Sequence, residues 1–135
     1  MKQTPGLQKA QKTILVVDDD AAILRFVSKL LADCNYNVLT AGSGKEALQQ
    51  SRDYECEIHL LLSDFEMPGM SGIGLATEIS LERPQIKVLL MSGFTGGMLV
   101  LNEGWHFLAK PFIPSQLRAL ISGLISPDEH SRSKL

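Results

Sequence analysis

Two stretches of this 135-residue chain limit its fold more than any other: Thr13–Val17 (TILVV) and Ile58–Leu62 (IHLLL). Both are almost wholly apolar, and they run into carboxylates, the first directly at Asp18 and the second one serine later at Asp64. A strand with one wet face alternates polar and apolar residues. Unbroken apolar runs instead belong to strands covered on both faces, as in a parallel sheet between helices.

Three more β-rich pieces follow the same logic: Asn37–Thr40, Ile86–Met91 and Trp105–Ala109. Between strands the apolar period lengthens to that of a helix. Ala21–Cys34 carries Ile23, Val27, Leu30, Leu31 and Cys34 at helical spacing, with Asp20 suited to cap its amides and Asn35 to its exit. Ser43 and Glu46 form a reciprocal capping pair that opens a helix to about Ser51. Ser71–Arg83 places Ile73, Ala76, Ile79 and Ser80 on one face and stops before Pro84. Pro114 suits a first helical position, ahead of Leu117, Leu120, Ile121, Leu124 and Ile125. Alternation of this kind implies right-handed crossovers and a (βα)5 doubly wound α/β domain, flavodoxin-like, with strand order 2-1-3-4-5. The stretch from Ser92 to Phe107 holds four glycines, Gly93, Gly96, Gly97 and Gly104. Glycine costs about 1 kcal/mol against alanine inside a helix, so the fourth helix should be short or vestigial, near Met98–Glu103.

The expected organisation is a flexible leader over 1–12, one domain over 13–126 and a polar tail over 127–135. A net charge of −2 gives no basic footprint for direct nucleic-acid binding. No apolar run approaches the roughly 20 residues that cross a bilayer, and the polar start lacks the apolar core of a signal peptide, so a cytoplasmic protein without membrane partners is expected. Cys34 and Cys56 lack CxxC spacing and read as small hydrophobes; His59, His106 and His130 lack ligand spacing. Gly42-Ser43-Gly44-Lys45 resembles a phosphate loop only in part, since Leu39 and Glu46 stand where a glycine and a hydroxyl residue belong.

In the 2-1-3-4-5 order the first and third strands are neighbours, so Asp18, Asp19 and Asp64 meet at the sheet's switch point, where ligands gather. Ser92 and Lys110 end strands four and five at the same rim. Bare carboxylates about 4 Å apart repel by roughly 4 kcal/mol per pair at an effective dielectric of 20, so the group needs a cation or shared protons. An oxygen-only donor set suits Mg²⁺, or Mn²⁺ in its place, and such a site favours accepting a phosphoryl group.

These pieces, ILVVDDD at Ile14–Asp20, LLSDFEMPGMSG at Leu61–Gly72, VLLMSG at Val88–Gly93 and FLAKPF at Phe107–Phe112, resemble the receiver domain of bacterial two-component response regulators. The resemblance covers Thr13 to about Ile125. It implies that Asp64 is the phosphoacceptor, that Asp19 holds Mg²⁺ directly and Asp18 through water, and that the Glu66 backbone carbonyl completes the protein ligands. It further implies that Ser92 and Lys110 bind phosphoryl oxygens, that Phe107 follows Ser92, and that Lys110-Pro111 is cis. The implied partner is a sensor histidine kinase or phosphotransfer protein. An effector or a second copy would use the face formed by the fourth helix, fifth strand and last helix. Such a domain assists its own phosphorylation and is not otherwise an enzyme; it stands alone or is cut from a hybrid kinase. Ser71 stands where the family often has aspartate. Two other readings are open: a haloacid dehalogenase-like phosphatase using Asp18, for which Asp18-x-Asp20 meets the minimum but Ala22 replaces a hydroxyl residue and Asp128-Glu129 falls in the tail; and a phosphorylation-independent interaction module.

Overall fold

The computed structural model describes residues 11–93 and 104–126. Five strands, β1 (Thr13–Val17), β2 (Asn37–Ala41), β3 (Leu60–Asp64), β4 (Lys87–Ser92) and β5 (Trp105–Ala109), form one parallel sheet in the order β2-β1-β3-β4-β5. The described helices are α1 (Ala21–Asp33), α2 (Gly44–Asp53), α3 (Gly72–Glu82) and α4 (Pro114–Leu124). The short helix expected near Met98–Glu103 lies outside the described residues.

Alternate side chains of the central strands feed two apolar layers. Ile14, Val16, Leu60, Leu62, Leu89 and Met91 pack with Val27 and Leu31 of α1 and Leu117 and Ile121 of α4. Leu15, Val17, Leu61, Val88 and Leu90 pack with Ala47 and Leu48 of α2 and Leu75, Ala76 and Ile79 of α3. Both layers are closed to water, which is why β1 and β3 could dispense with polar alternation.

Local signals fix the helix ends. The Asp20 carboxylate accepts from the Ala22 and Ile23 amides at 2.9 and 3.3 Å, and α1 exits through Asn35 at φ 76, a left-handed conformation that asparagine tolerates. Ser43 accepts from the Glu46 amide at 3.1 Å, but the Glu46 carboxylate reaches Gly42 N at 2.8 Å, one residue earlier than in the reciprocal pair. Ser71 caps α3 through the Gly74 amide at 3.0 Å, so serine here does the work asparagine or aspartate would do. At α4, Pro114 is at the start and Gln116 accepts from Ile113 N at 3.0 Å.

Some expectations shift. The helix α2 runs on to Asp53, β3 begins at Leu60, and β4 extends to Ser92. In α3 the buried face is Gly72, Leu75, Ala76 and Ile79 rather than one including Ser80. The 3.6-residue period allows either stripe, and burying Leu75 removes more apolar surface from water than burying a serine. Cys34 packs partly against the core as expected, whereas Cys56 is exposed. The α2–α3 side is tied at its far end by Arg83, whose guanidinium donates to Ser51 Oγ, Ser51 O, Tyr54 O and Cys56 O at 2.7 to 2.9 Å.

Candidate functional site

The site sits at the carboxyl ends of β1, β3, β4 and β5, where register brings the chain termini of neighbouring strands level. Val17 pairs with Ser63, Asp64 with Met91, and Ser92 with Ala109, so the residues just beyond them share one rim. Asp64 is the last residue of β3, and Asp18 and Asp19 follow β1 directly. Each offers a carboxylate oxygen within 4.8 Å of the others.

Lys110 closes the group. Its Nζ donates to Asp18 Oδ2 and Asp64 Oδ1, each at 3.2 Å. Asp18 is 1% exposed, and its Oδ1 accepts from the Asp20 amide at 2.9 Å. Asp64 is 9% exposed, while Asp19 faces solvent. The Glu66 backbone amide favours the charged form of the Asp64 carboxylate. Ser92 is buried at the end of β4, and its carbonyl accepts from Lys110 N at 2.7 Å, so β4 and the lysine are joined through backbone. Phe107 is half-buried against the α2/α3 layer two residues below the rim. The Lys110-Pro111 bond is cis.

Charge decides what the site can hold. Three carboxylates within 4.8 Å repel by at least roughly 3.5 kcal/mol per pair at an effective dielectric near 20. Two contacts to Lys110 at 3.2 Å return roughly 5 kcal/mol each on the same scale, which about balances the repulsion among three anions and does no more. Burial, then the Asp18 charge, pushes the Asp64 carboxyl above the usual carboxylate range, despite Lys110 and the Glu66 amide pulling it down. For Lys110, burial disfavours the ammonium, but Asp18 and Asp64 outweigh it and raise its pKa, so the lysine is cationic. The cluster therefore has residual negative charge and an all-oxygen donor set, the pattern that suits a hard divalent cation.

Sequence reasoning named Asp18, Asp19, Asp64 and Lys110, and these come together. It missed two supports behind Asp64. Ser63 Oγ donates to the Asp64 carbonyl at 2.9 Å, and Gly72 lies so close that a Cβ there would stand 2.3 Å from the same oxygen. The first had a faint signal, a serine inside an apolar run; the second had none beyond a glycine following a turn.

Residues 14–122 match the response regulator receiver domain family. The chain belongs to that family. This receiver domain is 33% identical over 119 residues to the two-component response regulator ARR11 of Arabidopsis thaliana, covering 85% of this chain and 23% of that protein. Over 121 residues it is 30% identical to the sensor kinase CckA of Brucella abortus, covering 87% of this chain and 13% of the kinase. The chain thus spans less than a quarter of either relative. Among solved structures it is similar to a response regulator receiver domain protein of Clostridium thermocellum, with a TM-score of 0.76 and 29% identity over 91% of this chain and 97% of that one. The likeness reaches both a plant regulator and a bacterial sensor kinase, and it establishes a receiver domain of two-component signalling. Among the described residues no helix is long and apolar enough to cross a membrane.

Proposed function

We propose that Asp64 is the phosphoacceptor of this receiver domain and that Asp18, Asp19, Asp64 and the Glu66 carbonyl hold a Mg²⁺ ion. The observation that carries the reading is the juxtaposition of three carboxylates within 4.8 Å with one bridging lysine. Mg²⁺, when bound, neutralises charge on the carboxylates and on the phosphoryl oxygens. The chain's own groups do the rest. A carboxylate oxygen of Asp64 attacks phosphorus, the bond to the donor nitrogen breaks, and its electron pair stays on the donor imidazole, which takes a proton from solvent. Lys110 holds the phosphoryl group by an ion pair, and Ser92 donates its hydroxyl to another phosphoryl oxygen.

The donor is a sensor histidine kinase or a phosphotransfer protein. An apolar groove lined by Ile23, Phe26, Pro111 and Phe112 supports this, because Lys110 lines it too and a protein seated there would reach the carboxylates. Phe26 is 50% exposed. The acyl phosphate draws Ser92 toward itself, and Phe107, which lies on β5 three residues ahead of the Lys110 that is bonded to Ser92, repacks. That repacking changes the face formed by β5 and α4, which an effector or a second copy would read; the fourth helix that the sequence adds to this face lies outside the described residues. The domain is a switch rather than an enzyme with separate turnover. Free Cys34 and Cys56 fit a reducing cytoplasm.

A phosphatase using Asp18 is disfavoured, because Asp18 is 1% exposed against 9% for Asp64, so its carboxylate is the less open to an incoming phosphorus. The test is intact mass after incubation with acetyl phosphate and Mg²⁺. One added phosphoryl group on the wild-type chain and none on Asp64→Asn is the expected result. Retention of the group in Asp64→Asn, with loss in Asp18→Asn, would establish the phosphatase-like reading instead.

A further inference from the structure

We infer that Ser63 is a positioning residue for Asp64 and for the metal-binding carbonyl that follows it, an inference that rests on the reading of Asp64 as the site's central carboxylate. Ser63 is fully buried, and its register partners Val17 and Leu90 are fully buried apolar residues. A hydroxyl in such a place is unfavourable unless it is hydrogen-bonded. Its bond goes to the carbonyl of the very next residue, Asp64, at 2.9 Å.

That carbonyl lies where three restraints converge. Phe65 N donates to Met91 O at 2.6 Å, which holds one side of the Asp64–Phe65 peptide against β4. Gly72 N donates to Phe65 O at 2.8 Å, which ties the next carbonyl to the start of α3. The missing Cβ of Gly72 would lie 2.3 Å from Asp64 O, so the helix bears directly on the atom that Ser63 holds. The peptide can therefore turn neither toward α3 nor away from Ser63 without losing a bond or meeting backbone. Two groups of the site depend on this peptide. One is the Asp64 carboxylate, carried by the Cα at its start. The other is Glu66, the residue after its far end, whose amide favours the charged carboxylate and whose carbonyl is proposed as a metal ligand. Ser63 touches neither phosphorus nor metal; it acts by fixing the peptide plane that carries the Cα of Asp64 and from which the chain runs on to Glu66.

The experiment compares wild type, Ser63→Ala and Ile79→Val. The Ile79→Val variant thins the same α2/α3 layer without touching the carbonyl, so it reports loss of packing alone. Mg²⁺ affinity is measured by calorimetry on the unphosphorylated, folded chain, alongside amide hydrogen exchange at Gly72. Partners behind metal ligands typically carry 10-fold or more in affinity, so Ser63→Ala should weaken Mg²⁺ binding by roughly tenfold and Ile79→Val should change it by less than about twofold. Exchange at Gly72 N–H should quicken in Ser63→Ala beyond its change in Ile79→Val. If Ser63→Ala binds Mg²⁺ as the wild type does, or if the two variants change in parallel, Ser63 is a buried structural serine and the inference is overturned. Both measurements are made without phosphorylation, so they stand or fall apart from the mass experiment on Asp64.

Discussion

Gly72→Ala is the most exacting change available to this fold. The added Cβ would stand 2.3 Å from Asp64 O, 3.0 Å from Phe65 Cα and 3.2 Å from Asp64 C. All three neighbours are backbone, so no flexible side chain can swing aside. Restoring ordinary contact requires α3 to retreat from β3 by about 1 Å, judged against the usual carbon packing distance of about 3.5 Å. That retreat stretches the 2.8 Å bond from Gly72 N to Phe65 O and opens the packing of Leu75, Ala76 and Ile79 against the sheet. Overpacking of this kind costs typically 1–3 kcal/mol, and a backbone clash belongs at roughly the upper end. Alanine's better helix propensity returns at most about 1 kcal/mol, since the site is the first turn of α3. The net expectation is a loss of about 2 kcal/mol, read by urea unfolding followed by circular dichroism. A second consequence reaches the site: misplacing Asp64 by about 1 Å would slow phosphoryl uptake from acetyl phosphate by on the order of 100-fold. A Gly72→Ala chain as stable as wild type would show that the helix start has slack, and the tight-contact argument would fail with it.

Tyr36 links stability to alkaline pH. Its hydroxyl donates to Ile125 O at 2.9 Å from a site 5% exposed, and burial, with a smaller push from Cys34, raises its pKa from 10.0 to about 12. A raised pKa means the contribution is complete below pH 10.0 and is lost as pH climbs through about 12. Tyr36→Phe should therefore cost about 1 kcal/mol near neutral pH, and the gap to wild type should close toward the alkaline end; a gap constant across that window in denaturant titrations would refute the burial argument. Arg83→Ala removes four hydrogen bonds that hold the end of α2 and the loop after it to α3. A charged hydrogen bond contributes about 1.5–3 kcal/mol and the four act together, so a loss of about 2–3 kcal/mol is expected, and Arg83→Lys should not restore it because an ammonium cannot span the fork. Thermal unfolding of the two variants decides the matter.

Sequence alone determined most of what this protein is. The apolar runs at Thr13–Val17 and Leu60–Leu62 required burial on both faces, and that requirement, repeated between helical periods, leaves a parallel sheet and little else. Once the strand order is granted, the ends of β1, β3 and β5 fix where Asp18, Asp19, Asp64 and Lys110 must meet, because side chains at strand ends inherit their positions from backbone register. Caps were legible as well, since Asp20 and Ser43 act on amides two or three residues away.

What the tertiary structure alone decided depends on atoms far apart in the chain. The choice of Leu75 over Ser80 for the buried stripe of α3 came from what the sheet offered to cover. The clasp of Arg83 on Ser51, Tyr54 and Cys56 joins groups separated by 27 to 32 positions, and no local rule predicts it. The same holds behind Asp64. Short-range preferences place an aspartate at the end of a strand, but whether its peptide is held still depends on a helix start pressed within van der Waals reach, and close packing of that kind arises only when the layers assemble.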